Sequence, residues 1–147
     1  MLEERSTSPT VVTHEGGKRF AAQIRGHRLL VDQPERAGGE DAGPMPIELL
    51  GASLGTCVAY YVQQYCATRG LPLAGLRVEV TPRRVPNPAR ISDFDVRVIL
   101  PAELPEAHLG MLERVVHACP VGTTLERGST IAIALEPSAA LLADATP

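Results

Sequence analysis

The sequence contains no tryptophan, only two phenylalanines and three tyrosines, and a single lysine, Lys18. Its basic residues are therefore almost all arginines, and they are scattered along a chain with a formal net charge of −3. Nucleic-acid-binding domains carry a basic patch or stripe, so this distribution argues against a nucleic-acid partner. With so few aromatic rings, any apolar pocket has to be built mainly from aliphatic side chains.

Long apolar runs are also missing from the chain. None reaches the roughly 18 residues that a membrane-spanning helix needs, and the opening stretch MLEERSTSPT is too polar for a secretory signal. We therefore expect a cytoplasmic protein without a membrane partner. In that compartment the three cysteines are expected to be buried thiols, metal ligands or redox groups rather than permanent disulfides.

The patterns that are present predict a single α+β domain over residues 1–147, with tails at 1–8 and 137–147. Three short strands are predicted within residues 10–33, with turns at Gly16-Gly17 and Arg25-Gly26. Two alternating stretches, LRVEVTPRRV and ISDFDVRVIL, predict a strand pair, and TIAIAL predicts a last strand. The resulting order, β-β-β-α-β-β-α-α-β, favours antiparallel sheets.

A long helix is predicted over residues 45–70. Pro46 suits its first turn, Glu48 suits its positive end, and Gly70 suits its C-terminal cap. The sequence is apolar on nearly every side of this helix until Gln63, which predicts burial in a core or an interface.

Two further helices and one long loop complete the prediction. Residues 103–118 predict a helix with a buried stripe of Leu109, Leu112, Val115 and Val116, and a short helix follows from Cys119-Pro120 to about Arg127. Residues 33–45, QPERAGGEDAGPM, predict a loop that is either ordered and functional or disordered.

Cys119 has a physical reason to be reactive. If Pro120 begins a helix, Cys119 is its N-cap, where free backbone N–H groups and the helix dipole lower a thiol pKa. The alternative is that Cys119 is a small buried apolar residue.

Cys57 lies inside the long helix, beyond the reach of the helix dipole. A low thiol pKa there would need a nearby cation, from Arg36, Arg19 or Arg25. Cys66 falls on another side of the same helix and is predicted to be structural. The cysteine and histidine spacings do not match a zinc motif, so no metal site is expected.

Two segments, read together, resemble the OsmC/Ohr family of thiol-dependent peroxide-reducing proteins. They are PIELLGASLGTC, from Pro46 to Cys57, and CPVGTTL, from Cys119 to Leu125. The resemblance extends over about residues 10–136 and is closer to the broader OsmC-like branch. It implies an OsmC-like fold with antiparallel sheets wrapped around a long buried central helix, in an intertwined homodimer with sites at the interface.

The resemblance also implies a peroxidase mechanism. Cys57 would attack the O–O bond of an organic hydroperoxide, or less well of hydrogen peroxide, and become a sulfenic acid. Cys119 would then resolve that sulfenic acid as a disulfide. An external thiol or dithiol would restore both thiols, so no cofactor is expected.

An arginine and a glutamate complete the site that the resemblance implies. Arg36 is the candidate for the arginine that holds the thiolate, with Arg19 as the alternative that the Ohr branch favours, and Glu48 would position it. In one unbroken helix, Glu48 lies about 13 Å along the axis from Cys57 and on the opposite side. A bridging arginine, a second subunit or a later helix start is therefore required. The predicted substrate-binding residues are Met45, Leu54 and Tyr61.

Two other functions fit the same residues. The chain could be a non-catalytic OsmC-like protein that senses oxidants or binds an apolar ligand, which the aliphatic surroundings of Cys57 favour. It could also be a structural dimer whose thiols are inert.

Overall fold

The computed structural model of the protein describes residues 8–137. Apart from Ser8 and Pro137, the tails predicted at 1–8 and 137–147 lie outside the described residues. The described chain has an α+β architecture with antiparallel sheets, as predicted. No helix within this range is long and apolar enough to span a bilayer.

The first sheet contains three short strands, β1 (Val11–His14), β2 (Phe20–Ile24) and β3 (His27–Val31). They are antiparallel and lie in the order β1-β2-β3. Phe20 of β2 lies opposite Val31 of β3. This pair lies at the end of the sheet from which the chain continues into the long loop.

Both turns predicted in this sheet are confirmed. The β1–β2 turn contains Gly16 at a φ of 96°, and the β2–β3 turn contains Arg25 at a φ of 55°. Glycine adopts the left-handed region without cost, whereas few other residue types do. The turn chemistry of the sequence therefore locates the strand ends correctly.

The long helix, α1 (Pro46–Ala67), begins where it is predicted to begin. Glu48 accepts a hydrogen bond from the backbone N–H of Met45 at 2.8 Å and so caps the first turn. The helix ends before Gly70, which takes a φ of 61° in the turn that follows. Within the chain only one stripe of the helix is buried: Leu54, Val58, Val62, Tyr65 and Cys66.

A long antiparallel hairpin follows, with strands β4 (Arg77–Pro86) and β5 (Ala89–Ile99). α1 packs across β4, and Gly55 lies close to Val80 of that strand. A Cβ atom added there would lie 3.1 Å from Cγ2 of Val80, so a glycine is what permits this separation.

Two shorter helices close the described fold, α2 (Leu109–His117) and α3 (Pro120–Arg127). The helix predicted over residues 103–118 is wrong at its N-terminal end, where a 3₁₀ turn (Glu106–His108) precedes α2. Pro105 explains the late start, because proline favours an extended residue before it and cannot continue a helix.

The stripe predicted for this helix is correct at Leu112, which is 3% exposed, while Val115 and Val116 are partly buried. It is wrong at Leu109, the first residue of α2, which is 43% exposed.

The predicted last strand is also not observed. Residues 128–137 form no strand, although Ile131, Ile133 and Leu135 alternate as a strand would. These three side chains are 81%, 82% and 94% exposed. A strand needs a neighbouring edge to satisfy its backbone groups, and no strand of the described chain pairs with this segment.

Two clusters of buried residues lie along α1. One contains Val62, Tyr65, Cys66 and Leu112, and the other contains Leu54, Val58 and Cys119. Neither cluster includes a residue of the first sheet. The second cluster surrounds the two cysteines that the sequence singles out.

Candidate active site

Cys57 and Cys119 are 62 positions apart in the sequence, and the fold brings them together. Cys57 lies on α1 and packs in the same cluster as Cys119, which precedes α3. The contact between α1 and α3 is what joins these two parts of the chain.

Cys119 is the N-cap of α3, as its place before Pro120 predicts. Its backbone is extended, with a φ of −60° and a ψ of 121°, and its Sγ accepts a hydrogen bond from the N–H of Gly122 at 3.4 Å. The residue is 1% exposed. A Cβ atom at Gly122 would lie 3.9 Å from this sulfur and 3.7 Å from Cδ1 of Leu54, which are ordinary van der Waals contacts.

Cys57 is only half-buried and reaches the same helix terminus. The backbone N–H of Val121 interacts with its sulfur and lowers its pKa. Burial has the larger effect and raises the pKa of Cys57 above the ordinary value, and the Cys119 thiol raises it further. In the chain as described, Cys57 is therefore a protonated thiol at neutral pH.

Backbone N–H groups at the N-terminus of α3 thus interact with both sulfurs. The first turn of a helix has backbone N–H groups without intrahelical partners, and here Val121 and Gly122 direct two of them at Cys57 and Cys119. The Cys-Pro pair predicts this arrangement for Cys119. It could not predict it for Cys57, because that contact exists only once α1 and α3 have packed together.

Two of the predicted substrate-binding residues lie beside this pair. Leu54 is buried in the cysteine cluster, and Tyr61 is partly buried against it. Met45 is not in the cluster. It lines a separate cavity of about 410 Å³ with Gln33 and Arg84.

Glu48 is not beside Cys57 either. Its carboxylate caps the first turn of α1, and the residue lines a groove of about 520 Å³ between α1 and β4. The small residues Gly51 and Gly55 form part of the same groove. Within one chain, Glu48 and Cys57 therefore serve opposite faces of α1, as the helical spacing predicts.

None of the candidate arginines influences the pKa of Cys57 within the described chain. Arg36 lies in an exposed 3₁₀ turn (Glu35–Ala37) and makes no hydrogen bond or ion pair within residues 8–137. Arg19 forms an ion pair with Glu40 at 2.5 Å. Arg25 lies in the β2–β3 turn.

Cys66 lies apart from the pair, in the other core cluster, and is fully buried. Burial raises the pKa of its thiol. In the part of the chain that the structure describes, no three histidine, cysteine or acidic side chains are grouped as metal ligands would be. The chemistry that the site offers is therefore that of two adjacent thiols at a helix N-terminus.

Comparison with known proteins identifies the family. The model of the family described as OsmC-like protein matches residues 38–134. No curated protein matches the chain.

Several solved structures share its fold at low identity. A candidate osmotic stress induced and detoxification response protein from Psychrobacter arcticus is 22% identical, with 84% of this chain and 91% of that chain covered and a TM-score of 0.74. An OsmC-like protein of unknown function from Vibrio cholerae is 12% identical, with 83% and 95% covered and a TM-score of 0.67.

A third structure is an organic hydroperoxide resistance protein, OsmC, from Legionella pneumophila. It is 19% identical, with 82% of this chain and 91% of that chain covered and a TM-score of 0.52. At these identities the structures establish a common fold. Because the family model covers about two thirds of the sequence, including both cysteines, this chain belongs to the OsmC-like family.

Proposed function

We propose that the protein is a cytoplasmic two-cysteine thiol peroxidase. It would reduce organic hydroperoxides, and hydrogen peroxide less well, with an external thiol or dithiol as reductant and no cofactor. The observation that carries this proposal is the convergence of Cys57 and Cys119 on the N-terminus of α3. The name of the Legionella pneumophila relative supports the choice of substrate.

The proposed reaction has three steps. The Cys57 thiolate attacks the terminal oxygen of a hydroperoxide, the O–O bond breaks, and the departing alkoxide takes a proton to leave as an alcohol. Cys57 is now a sulfenic acid. The Cys119 sulfur attacks it, a disulfide forms, and water leaves. Two external thiols then reduce the disulfide to the starting pair and become a disulfide themselves.

The first step needs a cation that this site lacks within one chain. Cys57 has a raised pKa, and no arginine of residues 8–137 opposes that rise. A guanidinium beside the sulfur would favour the thiolate and orient the peroxide. We propose that Arg36, which is exposed and unpaired within the described chain, supplies it from a second subunit, and that Glu48 helps to position it.

Several features support a homodimer built around α1. Within residues 8–137, thirteen large apolar side chains are exposed, whereas ten apolar residues are buried. The first sheet lies outside both core clusters, and the groove between α1 and β4 is open. Large exposed apolar surfaces mark interfaces. A second copy covering them would turn α1 into the buried central helix that the sequence predicts.

Mass spectrometry tests the chemistry. One equivalent of an organic hydroperoxide should remove two hydrogens from the reduced protein, and peptide mapping should place a disulfide between Cys57 and Cys119. Cys57→Ser should abolish turnover. Cys119→Ser should leave Cys57 oxidisable but unable to form this disulfide. Cys66→Ser is the matched control and should retain turnover; unchanged turnover in Cys57→Ser would overturn the proposal.

Subunit complementation tests the source of the guanidinium. Cys57→Ser and Arg36→Ala should each be inactive alone. If the partner supplies Arg36, refolding the two together creates mixed dimers with one intact site, and about a quarter of the wild-type activity should return. If the mixture stays inactive while mixed dimers are present, Arg36 does not act across the interface.

A slower redox sensor is the second candidate function, and the raised pKa of Cys57 favours it. A sensor would undergo one slow oxidation, whereas a peroxidase would consume excess hydroperoxide rapidly as long as dithiol is present. Stopped-flow measurement with excess dithiothreitol separates the two.

A further inference from the structure

Asp32 is the one polar or charged residue that is buried in residues 8–137, at 1% exposure. It follows directly after β3 and precedes the loop of residues 33–45. A buried carboxylate is costly unless its oxygens receive hydrogen bonds. The groups that donate hydrogen bonds to the Asp32 carboxylate therefore indicate its role.

The carboxylate gathers backbone N–H groups from both ends of the loop. Oδ1 accepts a hydrogen bond from Gln33 at 2.8 Å, and Oδ2 accepts hydrogen bonds from Glu40 at 3.0 Å and Ala42 at 3.1 Å. The loop is consequently wrapped around one side chain. Its packing is tight, because a Cβ atom at Gly39 would lie 1.9 Å from the carbonyl oxygen of Gln33 and 2.9 Å from Oδ1 of Asp32.

These hydrogen bonds keep Asp32 ionised. The N–H of Ala42 has the largest effect in lowering the pKa of the carboxyl group. Burial opposes it, and the N–H groups of Gln33 and Glu40 and the charge of Arg19 lower the pKa further. A carboxylate that accepts several backbone N–H groups is a stable anion at neutral pH.

The part of the loop held in this way is the part that carries Arg36. The N–H of Asp41 donates to the carbonyl of Gln33 at 3.1 Å, and Lys18 donates from its ammonium group to the carbonyl of Ala37. The backbone on both sides of Arg36 is thus fixed while its side chain stays free.

We propose that Asp32 is a positioning residue that folds the 33–45 loop and thereby presents Arg36 to the thiol site. The proposal depends on the assignment of Arg36 made under the proposed function. It adds a residue that contacts neither substrate nor sulfur and acts only through the loop.

Asp32→Asn tests the proposal, because it replaces an acceptor oxygen with a donor that faces backbone N–H groups. We expect kcat/KM for an organic hydroperoxide to fall about tenfold or more. We also expect the apparent pKa of Cys57, from the pH dependence of its alkylation, to rise to that of Arg36→Ala. Asp41→Asn is the matched control: it removes one negative charge from the same loop, and asparagine tolerates its φ of 54°.

A second variant, Gly39→Ala, disturbs the loop and keeps the carboxylate. It should reproduce both effects, which keeps the proposal testable if Asp32→Asn does not fold. Wild-type kcat/KM and an unchanged Cys57 profile in a folded variant with a loosened loop would overturn the proposal.

Limited trypsin digestion monitors the loop independently of peroxidase activity. Cleavage after Arg36 should accelerate in Asp32→Asn and Gly39→Ala but not in Asp41→Asn. Unchanged cleavage would also overturn the proposal, since Asp32 would then not hold the loop. Failure of the proposed function is distinguishable, because Arg36→Ala would then retain full turnover and a normal Cys57 profile.

Discussion

The three cysteines have different surroundings, which predicts an order of reactivity. Cys57 is half-buried, whereas Cys119 and Cys66 are 1% and 0% exposed. Iodoacetamide at neutral pH should therefore modify Cys57 first in the reduced native protein. The thiolate is the species that reacts with iodoacetamide. Because the pKa of Cys57 is raised, Cys57 should react more slowly than free cysteine when no guanidinium lies beside it. Peptide mass mapping over time gives the order, and early labelling of Cys66 would contradict it.

We expect Asp32 to stabilise the fold at neutral pH and to lose this contribution in acid. A group whose pKa is lowered by folding stabilises the native state above its unfolded pKa, near 3.8 here, and loses that contribution as the pH falls through its folded value. The difference in unfolding free energy between the wild type and Asp32→Asn should be largest near pH 7 and shrink below pH 3.8. Urea titrations at several pH values measure it, and a difference that grows in acid would contradict the assignment.

Local rules predicted only part of the site. The N-cap position of Cys119 follows from the proline after it, and the capping role of Glu48 follows from its place in the first helical turn. The N–H of Val121 on Cys57 and the burial of Asp32 could not be predicted, because both depend on segments that meet only in the folded chain.

The glycines of α1 give a matched pair of helix variants. Glycine inside a helix costs about 1 kcal/mol relative to alanine. At Gly51 an added Cβ would lie 3.8 Å from Val80, an ordinary contact, whereas at Gly55 it would lie 3.1 Å away. Gly51→Ala should therefore raise the unfolding free energy by about 0.5–1 kcal/mol.

Gly55→Ala should gain less than Gly51→Ala or lose stability, because the β-branched side chain of Val80 has little freedom to move aside. Chemical denaturation of the two variants under the same conditions makes the comparison. Equal gains in unfolding free energy would contradict this prediction and show that β4 moves away from α1 at little cost.

Strands and helices were predictable where the spacing of the apolar residues and the positions of the turn residues indicated the same element. The three-stranded sheet, α1 and the β4–β5 hairpin meet that condition. Residues 103–118 do not, because Pro105 interrupts the predicted helix and α2 starts only at Leu109. TIAIAL has a strand pattern, yet strand formation also requires a partner edge, which a pattern within one segment cannot reveal.

We expect the exposed segment around Ile133 to contribute to self-association of the protein. If a second copy covers this surface, Ile133→Asp should weaken the dimer, because it would bury a charge at an apolar contact. Ala132→Asp is the matched control, since it adds the same charge on the alternate side of the segment. Sedimentation velocity over a concentration series should show dissociation at a higher concentration for Ile133→Asp. Equal behaviour of the two variants would remove Ile133 from the interface.

The meeting of Cys57 and Cys119 has a consequence for the denatured chain. A bond between them would close a covalent ring of about 62 residues that contains the whole β4–β5 hairpin, and a ring of that size lowers denatured-chain entropy by an amount equivalent to about 4 kcal/mol. Oxidised protein should then melt roughly 10 °C above the reduced form. Calorimetry before and after adding dithiothreitol would measure the difference. If the proposed peroxidase function holds, the melting temperature would then report whether the protein has reacted with peroxide.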